Sequence, residues 1–136
     1  MLPDSYAVIL AARAMEATKK AYAPYSNFPV GAAVAHTSKI AIGCNVENQS
    51  FGLTMCAERV AIYSAITTGW LNKTTKITAL AVYAVNQDYV KPCGACLQVI
   101  SEFADENTVI LLMDRSNGPI KQLKFADLLP QAFSLE

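Results

Sequence analysis

Three thiols and one carboxylate are spaced so that they can hold a metal ion and work protons beside it. Cys56-Ala57-Glu58-Arg59 supplies the first group and Pro92-Cys93-Gly94-Ala95-Cys96 the second. Three sulfurs on one Zn²⁺ leave a fourth position for water, the mark of a catalytic rather than a structural zinc site. Glu58 is then the group that handles that water's protons. Three thiolates on a dication leave one excess negative charge, which weakens the ion as a Lewis acid. Arg59, one helical turn beyond Cys56, is expected to offset it by donating to ligand sulfur.

This chemistry sets conditions on local structure. Cys93 and Cys96 are three apart, so at a helix start both sulfurs face one point. Helix N-termini carry a positive dipole end that favours thiolate over thiol. Residues two apart on a regular helix point different ways. Cys56 must therefore sit at the frayed end of its helix if Glu58 is to reach over the same metal.

Other uses of these cysteines stay open at this point. Cys-x-x-Cys alone also fits a redox pair, which would form one reversible Cys93–Cys96 disulfide. A closed zinc-stabilised binding module would need a fourth ligand, and Cys44 is the strongest candidate, ahead of His36. The combined pattern is more specific than either half.

The elements that must position the site follow from periodicity. Ser5 to Lys20 reads as an amphipathic helix with Val8, Ala11, Ala12, Met15 and Lys19 at helical spacing, capped by Asp4 or Ser5. Tyr22 to Gly31 contains two prolines and cannot continue it. Packing explains most aromatics of that loop, although Phe28 could also wall a flat, base-sized pocket. Val30 to Ala35 and Ile40 to Val46 are expected strands around a turn at Thr37-Ser38-Lys39. Along the second strand Asn45 and Glu47 share a face, where an amide and a carboxylate suit a sugar hydroxyl. A polar loop after an edge strand explains them as well. Cys44 reads as a buried small hydrophobe.

A helix is expected from about Cys56 to Thr68, stopped by Gly69. Ile77 to Val85 is nearly all apolar, as a central strand covered on both faces should be. Pro92 suits the first turn of the next helix, whose buried face is Cys96, Val99, Ile100 and Phe103. Val109 to Met113 and Ile120 to Leu123 are further strands, and Phe125 to Leu129 is one helical turn. Gln131 to Glu136 is a short tail. The order implies an α/β fold: a three-layer α/β/α sandwich with a mixed five-stranded sheet, residues 1–136 forming one catalytic domain.

Composition narrows the function classes. The 136 residues are 53% hydrophobic and 16% charged, which favours a filled core over disorder. Eleven basic residues balance eleven acidic ones, so no net field recruits a nucleic acid polymer or an anionic membrane. The longest apolar stretch is far short of a membrane span. The start carries Asp4 and no basic region before its apolar run, so no secretory leader is expected. A reducing cytoplasmic setting is expected, and it turns the cysteines towards metal or redox work.

Nearly the whole chain resembles the small, homotetrameric cytidine deaminases of nucleoside salvage. The resemblance rests on Tyr22-Ala23-Pro24-Tyr25-Ser26-Asn27-Phe28, Gly31-Ala32-Ala33, Gly43-Cys44-Asn45-Val46-Glu47-Asn48, Cys56-Ala57-Glu58-Arg59, Pro92-Cys93-Gly94-Ala95-Cys96 and Leu128-Leu129-Pro130-Gln131-Ala132-Phe133. Cys at position 56 resembles the three-cysteine branch. The resemblance implies one Zn²⁺ per subunit on Cys56, Cys93 and Cys96, with Glu58 shuttling protons. It implies attack at C4 of cytidine or 2′-deoxycytidine, giving uridine or 2′-deoxyuridine and ammonia. It further implies that Asn45 and Glu47 hold the ribose 3′-hydroxyl, that the Ala57 backbone meets the pyrimidine edge, and that Phe28 packs on the nucleoside. Phe133 would reach a neighbour's site within the homotetramer. Phe51 stands where the family often has Tyr. A related deaminase for a blasticidin-type nucleoside is the rival enzyme reading, against which the Asn45/Glu47 pair and Phe28 argue.

Overall fold

The computed structural model describes residues 1–135. Five strands form one mixed sheet: β1 (Val30–His36), β2 (Lys39–Cys44), β3 (Ala79–Ala84), β4 (Val109–Leu112) and β5 (Lys121–Lys124). Their spatial order is β2-β1-β3-β4-β5. Only β3 and β4 run parallel as neighbours, and the other three pairings are antiparallel. The helices are α1 (Asp4–Ala17), α2 (Ala57–Thr68), α3 (Gly94–Ser101) and the short α4 (Phe125–Leu128). This is the expected three-layer sandwich.

The sheet buries both faces, because alternate residues of each strand enter different layers. Ala32, Val34, Leu80, Val82, Ile110 and Leu112 face Ala61, Ile62 and Ala65 of α2 and Leu97 and Ile100 of α3. Ala33, Ala35, Ala79 and Ala81 face Ala7, Leu10, Ala11 and Ala14 of α1. That second layer is mostly methyl on methyl, so α1 lies close to the strands.

Several boundaries differ from the sequence reading. Thr18–Lys20 forms a 3-10 turn rather than a last turn of α1. The N-cap of α1 is Pro3, with no side-chain cap. The buried face of α1 is Ala7, Leu10, Ala11, Ala14 and Ala17, while Val8 is 57% exposed. Apolar spacing misplaced the face because alanine, weak as a hydrophobic signal, is what close helix–sheet packing selects. Strand β2 ends at Cys44, not Val46, and β3 begins at Ala79, not Ile77. Pro92 precedes the α3 N-cap, Cys93, instead of occupying the first turn. The last strand lies one residue later than expected, at Lys121–Lys124. Gly69 does end α2, at φ +105°.

Candidate metal centre and active site

Helices α2 and α3 both begin with a cysteine at the N-cap. Cys56 has φ −72° and ψ 152°, and Cys93 has φ −70° and ψ 168°. Both are extended, half-in residues whose carbonyls still accept the first helical bonds, from Val60 N at 3.1 Å and Leu97 N at 2.9 Å. The condition set by the sequence is met: Cys56 lies outside the regular helix, so Glu58 in its first turn is free of the helical two-residue offset. Cys96 sits one turn into α3 and is buried.

The Sγ atoms of Cys56, Cys93 and Cys96 lie within 4.8 Å of one another. Tetrahedral Zn²⁺ with Zn–S bonds of about 2.3 Å holds its sulfurs about 3.8 Å apart, so the group is close to a ligand set as it stands. Its electrostatics point the same way. The Cys56 thiol is pulled down to about 5, first by the hydrogen bond from Cys96 and then by Arg59. Cys96 is pushed the other way by the same contact and by burial. The trio thus concentrates negative charge on one sulfur, as thiols crowded at two positive helix ends will. Among the described residues no other group of three potential metal ligands gathers in this way.

Arg59 Nη2 donates to Cys56 Sγ at 3.3 Å. Its Nε is buried with no hydrogen-bond partner. The sulfur contact also holds the guanidinium firmly charged. Arg59→Gln should weaken zinc affinity or slow turnover about 10- to 100-fold, the usual cost of losing a partner that supports a ligand. Chelator competition together with initial rates would check this, and unchanged values for both would remove the charge argument.

Glu58 is 5% exposed. Burial raises its carboxyl to about 7, and the negative charge on Cys56 adds to the effect. Such a group can hold or release a proton near neutrality.

The substrate-binding candidates are organised differently from the expectation. Asn45 and Glu47 lie past the end of β2, in a strap paired on both sides. Tyr22 N donates to Asn45 O at 3.0 Å and Glu47 N to Tyr22 O at 2.8 Å. Val46 exchanges both backbone bonds with Met55, at 3.0 and 2.9 Å. Met55 directly precedes Cys56, so this strap fixes the loop of Phe28 relative to the metal ligands.

The side chains add to that clamp. Asn45 Oδ1 accepts from Val30 N and its Nδ2 donates to Phe28 O, both at 2.9 Å. Glu47 Oε1 accepts from Tyr25 N at 2.9 Å and Ser26 N at 3.1 Å, and Ser26 Oγ donates to Oε2. Ser26 Oγ also accepts from Phe28 N at 3.1 Å. These donors, Ser26 first, hold Glu47 below the usual carboxylate range. A carboxylate offers about four acceptor sites, so some capacity remains for a ligand. Sequence reasoning assigned no role to Ser26, although a serine two residues before Phe28 is a common turn former.

Phe28 is half-buried and Ala57 is fully buried. Phe51 is exposed and stacks obliquely on Tyr25, with ring centroids 5.8 Å apart. Phe133 is 67% exposed, and its carbonyl accepts from Gln98 Nε2 at 3.2 Å. Cys44 is half-buried rather than buried and is not in the sulfur group. His36 is also half-buried, with Nδ1 bonded to Lys76 O at 2.7 Å.

A mixed sheet that brings two cysteine-capped helices to one point, with a buried carboxyl in the first turn of one of them, fits a zinc hydrolase centre of the deaminase type. The family described as "Cytidine and deoxycytidylate deaminase zinc-binding region" matches residues 7–112. A cytidine deaminase of Sporosarcina psychrophila is 44% identical over 128 residues, covering 93% of this chain and 90% of the relative. One from Halalkalibacterium halodurans is 40% identical over 129 residues, covering 94% of each. The crystal structure of cytidine deaminase from Burkholderia pseudomallei superposes with a TM-score of 0.83 at 42% identity, covering 93% of this chain and 98% of that one. The chain belongs to the cytidine deaminase family.

Proposed function

We propose that the protein deaminates cytidine and 2′-deoxycytidine hydrolytically, as one catalytic domain acting in pyrimidine salvage. The three-sulfur group beside buried Glu58 carries this reading. Zinc held by Cys56, Cys93 and Cys96 would supply the Lewis acidity that brings the pKa of water to about 7. Glu58 takes a proton from the attacking water and places it on N3 while oxygen adds to C4. It then moves the second proton to the exocyclic nitrogen, the C4–N bond breaks, and ammonia leaves. Burial suits Glu58 to both directions of transfer. Arg59 stays charged and draws electron density from Cys56.

Phe28 and the Ala57 backbone are assigned to the base, and Asn45 and Glu47 to the ribose 3′-hydroxyl. The carboxylate of Glu47 would repel a 3′-phosphate, so a free nucleoside fits better than a nucleotide or polymer. Among the described residues no helix is long and apolar enough to cross a membrane. We assign the protein to the cytoplasm. The decisive experiment pairs zinc analysis with the absorbance loss as cytidine becomes uridine. A zinc-loaded protein inert towards both nucleosides would overturn the proposal.

Assembly is proposed as a homotetramer with shared sites. Tyr22, Tyr25, Val46, Phe51 and Leu53 leave large apolar surface exposed around the Phe28 loop and the approach to Cys56, and Phe133 does so on the tail. Light scattering should give about four times the 14.7 kDa chain mass. Phe133→Ala should raise KM for cytidine. A fully active monomer would contradict the shared site.

A further inference from the structure

Two glycines on neighbouring strands face opposite layers, and each is pressed by a helix backbone. A Cβ on Gly43 of β2 would stand 2.6 Å from Ala57 O and closer still to Ala61 N, both in α2. A Cβ on Gly31 of β1 would collide with Ala14 O and Thr18 N at the end of α1. Real Cβ atoms essentially never come within 3.0 Å of such atoms. Neither obstacle is a flexible side chain, so a helix must move.

The consequences differ by layer. Helix α1 carries no site residue. Helix α2 carries Cys56 at its N-cap and Glu58 in its first turn. The atoms that Gly43 touches belong to that same turn and the next. Cys93 and Cys96 stand on α3, which Gly43 does not touch within 4 Å among its nearest neighbours. Any retreat of α2 from β2 therefore shifts one sulfur and the carboxyl relative to the other two sulfurs.

We infer that Gly43 is a positioning residue for the metal centre: its missing side chain sets the distance between the α2 and α3 ligands. The inference rests on the zinc deaminase reading and deepens it. To bring both Ala57 O and Ala61 N out to 3.4 Å, an ordinary contact, α2 must withdraw by about 1 Å. Metal sites tolerate distance errors of about 0.2 Å, and a 1 Å misplacement of a catalytic group costs about 100-fold in rate.

The test compares Gly43→Ala with Gly31→Ala and with Leu10→Ala, a cavity variant in the α1 layer. Each is purified as the full chain and checked for fold by circular dichroism and thermal midpoint. Three readouts follow: chelator competition for zinc, the absorption spectrum of the cobalt(II)-substituted protein, and kcat and KM for cytidine. Gly43→Ala is expected to lose at least 10-fold in zinc affinity, to alter the thiolate-to-cobalt bands, and to lose about 100-fold in kcat with a smaller change in KM. The two α1-layer variants should lower the thermal midpoint yet keep the parent spectrum and kcat below it.

If Gly43→Ala does not fold, Ala61→Ser, one atom larger on the α2 residue whose backbone Gly43 meets, should show the cobalt shift and at least a 3-fold affinity loss. Parent-like spectrum and affinity in the folded Gly43 variant, or in Ala61→Ser, would overturn the inference. So would equal losses in the α1-layer variants. Failure of the parent to bind zinc or cobalt would instead sink the deaminase reading itself.

Discussion

Glu58→Gln should bind one zinc, keep the fold and lose about 100- to 10,000-fold in kcat, the range that one general acid–base group contributes. The amide is nearly isosteric with the acid and keeps an acceptor oxygen, so packing in this buried position is preserved. What it loses is the ability to accept a proton and give it back. The loss should fall on kcat more than on KM, because proton transfer belongs to the transition state. Steady-state kinetics with metal analysis on the same sample would decide. Zinc-replete Glu58→Gln with near-normal turnover would remove Glu58 from its assigned role.

Cys96→Ser should have the larger effect on the metal. Cys96 is fully buried between α3 and the neighbouring sulfur of Cys56, and Arg59 supports the same cluster. A hydroxyl there fills nearly the same volume but remains protonated and is a poor zinc ligand. Zinc content should fall well below one per chain. Turnover should fall to background, because water would return to its bulk pKa of about 15.7. The fold should persist, since Ile100 and Leu97 of α3 are held by apolar packing in the same core as Ile62, Leu80 and Ile110. Stoichiometric zinc with a substantial fraction of parental turnover in Cys96→Ser would show that another residue closes the site.

What could be read from the chain depended on how local each signal was. The metal trio was legible because thiols at these spacings have few other uses together, and helix-start geometry follows from sequence neighbours. The extended conformation of Cys56 was a requirement of the chemistry before it was an observation. The sheet was legible from apolar runs such as Ala79 to Ala84. The α1 face was not, because Val8 outranks Ala7 on any hydrophobic scale, yet only the alanine fits against the strands. Asn45 and Glu47 were identified as polar and close together, but their engagement with Tyr25, Ser26, Phe28 and Val30 joins segments some 15 to 22 residues apart. No periodicity encodes such a pairing. Strand ends at Cys44 and Ala79 were missed for a similar reason: past Cys44 the chain keeps pairing but turns to Tyr22 and Met55, and before Ala79 a bend at Thr78 still bonds to Ala35 and Val109.

The methyl-lined seam between α1 and the sheet has a thermodynamic consequence. Alanine side chains surrender no rotamer freedom when they are buried, so the seven alanines among the eleven buried residues of this half order at no side-chain entropy cost. The opposite half, with its leucines, isoleucines and phenylalanines, bears that cost and regains those rotamers on heating. Loosening should therefore begin beneath the two cysteine-capped helices, while α1 and the strands behind it hold as an unyielding backplate.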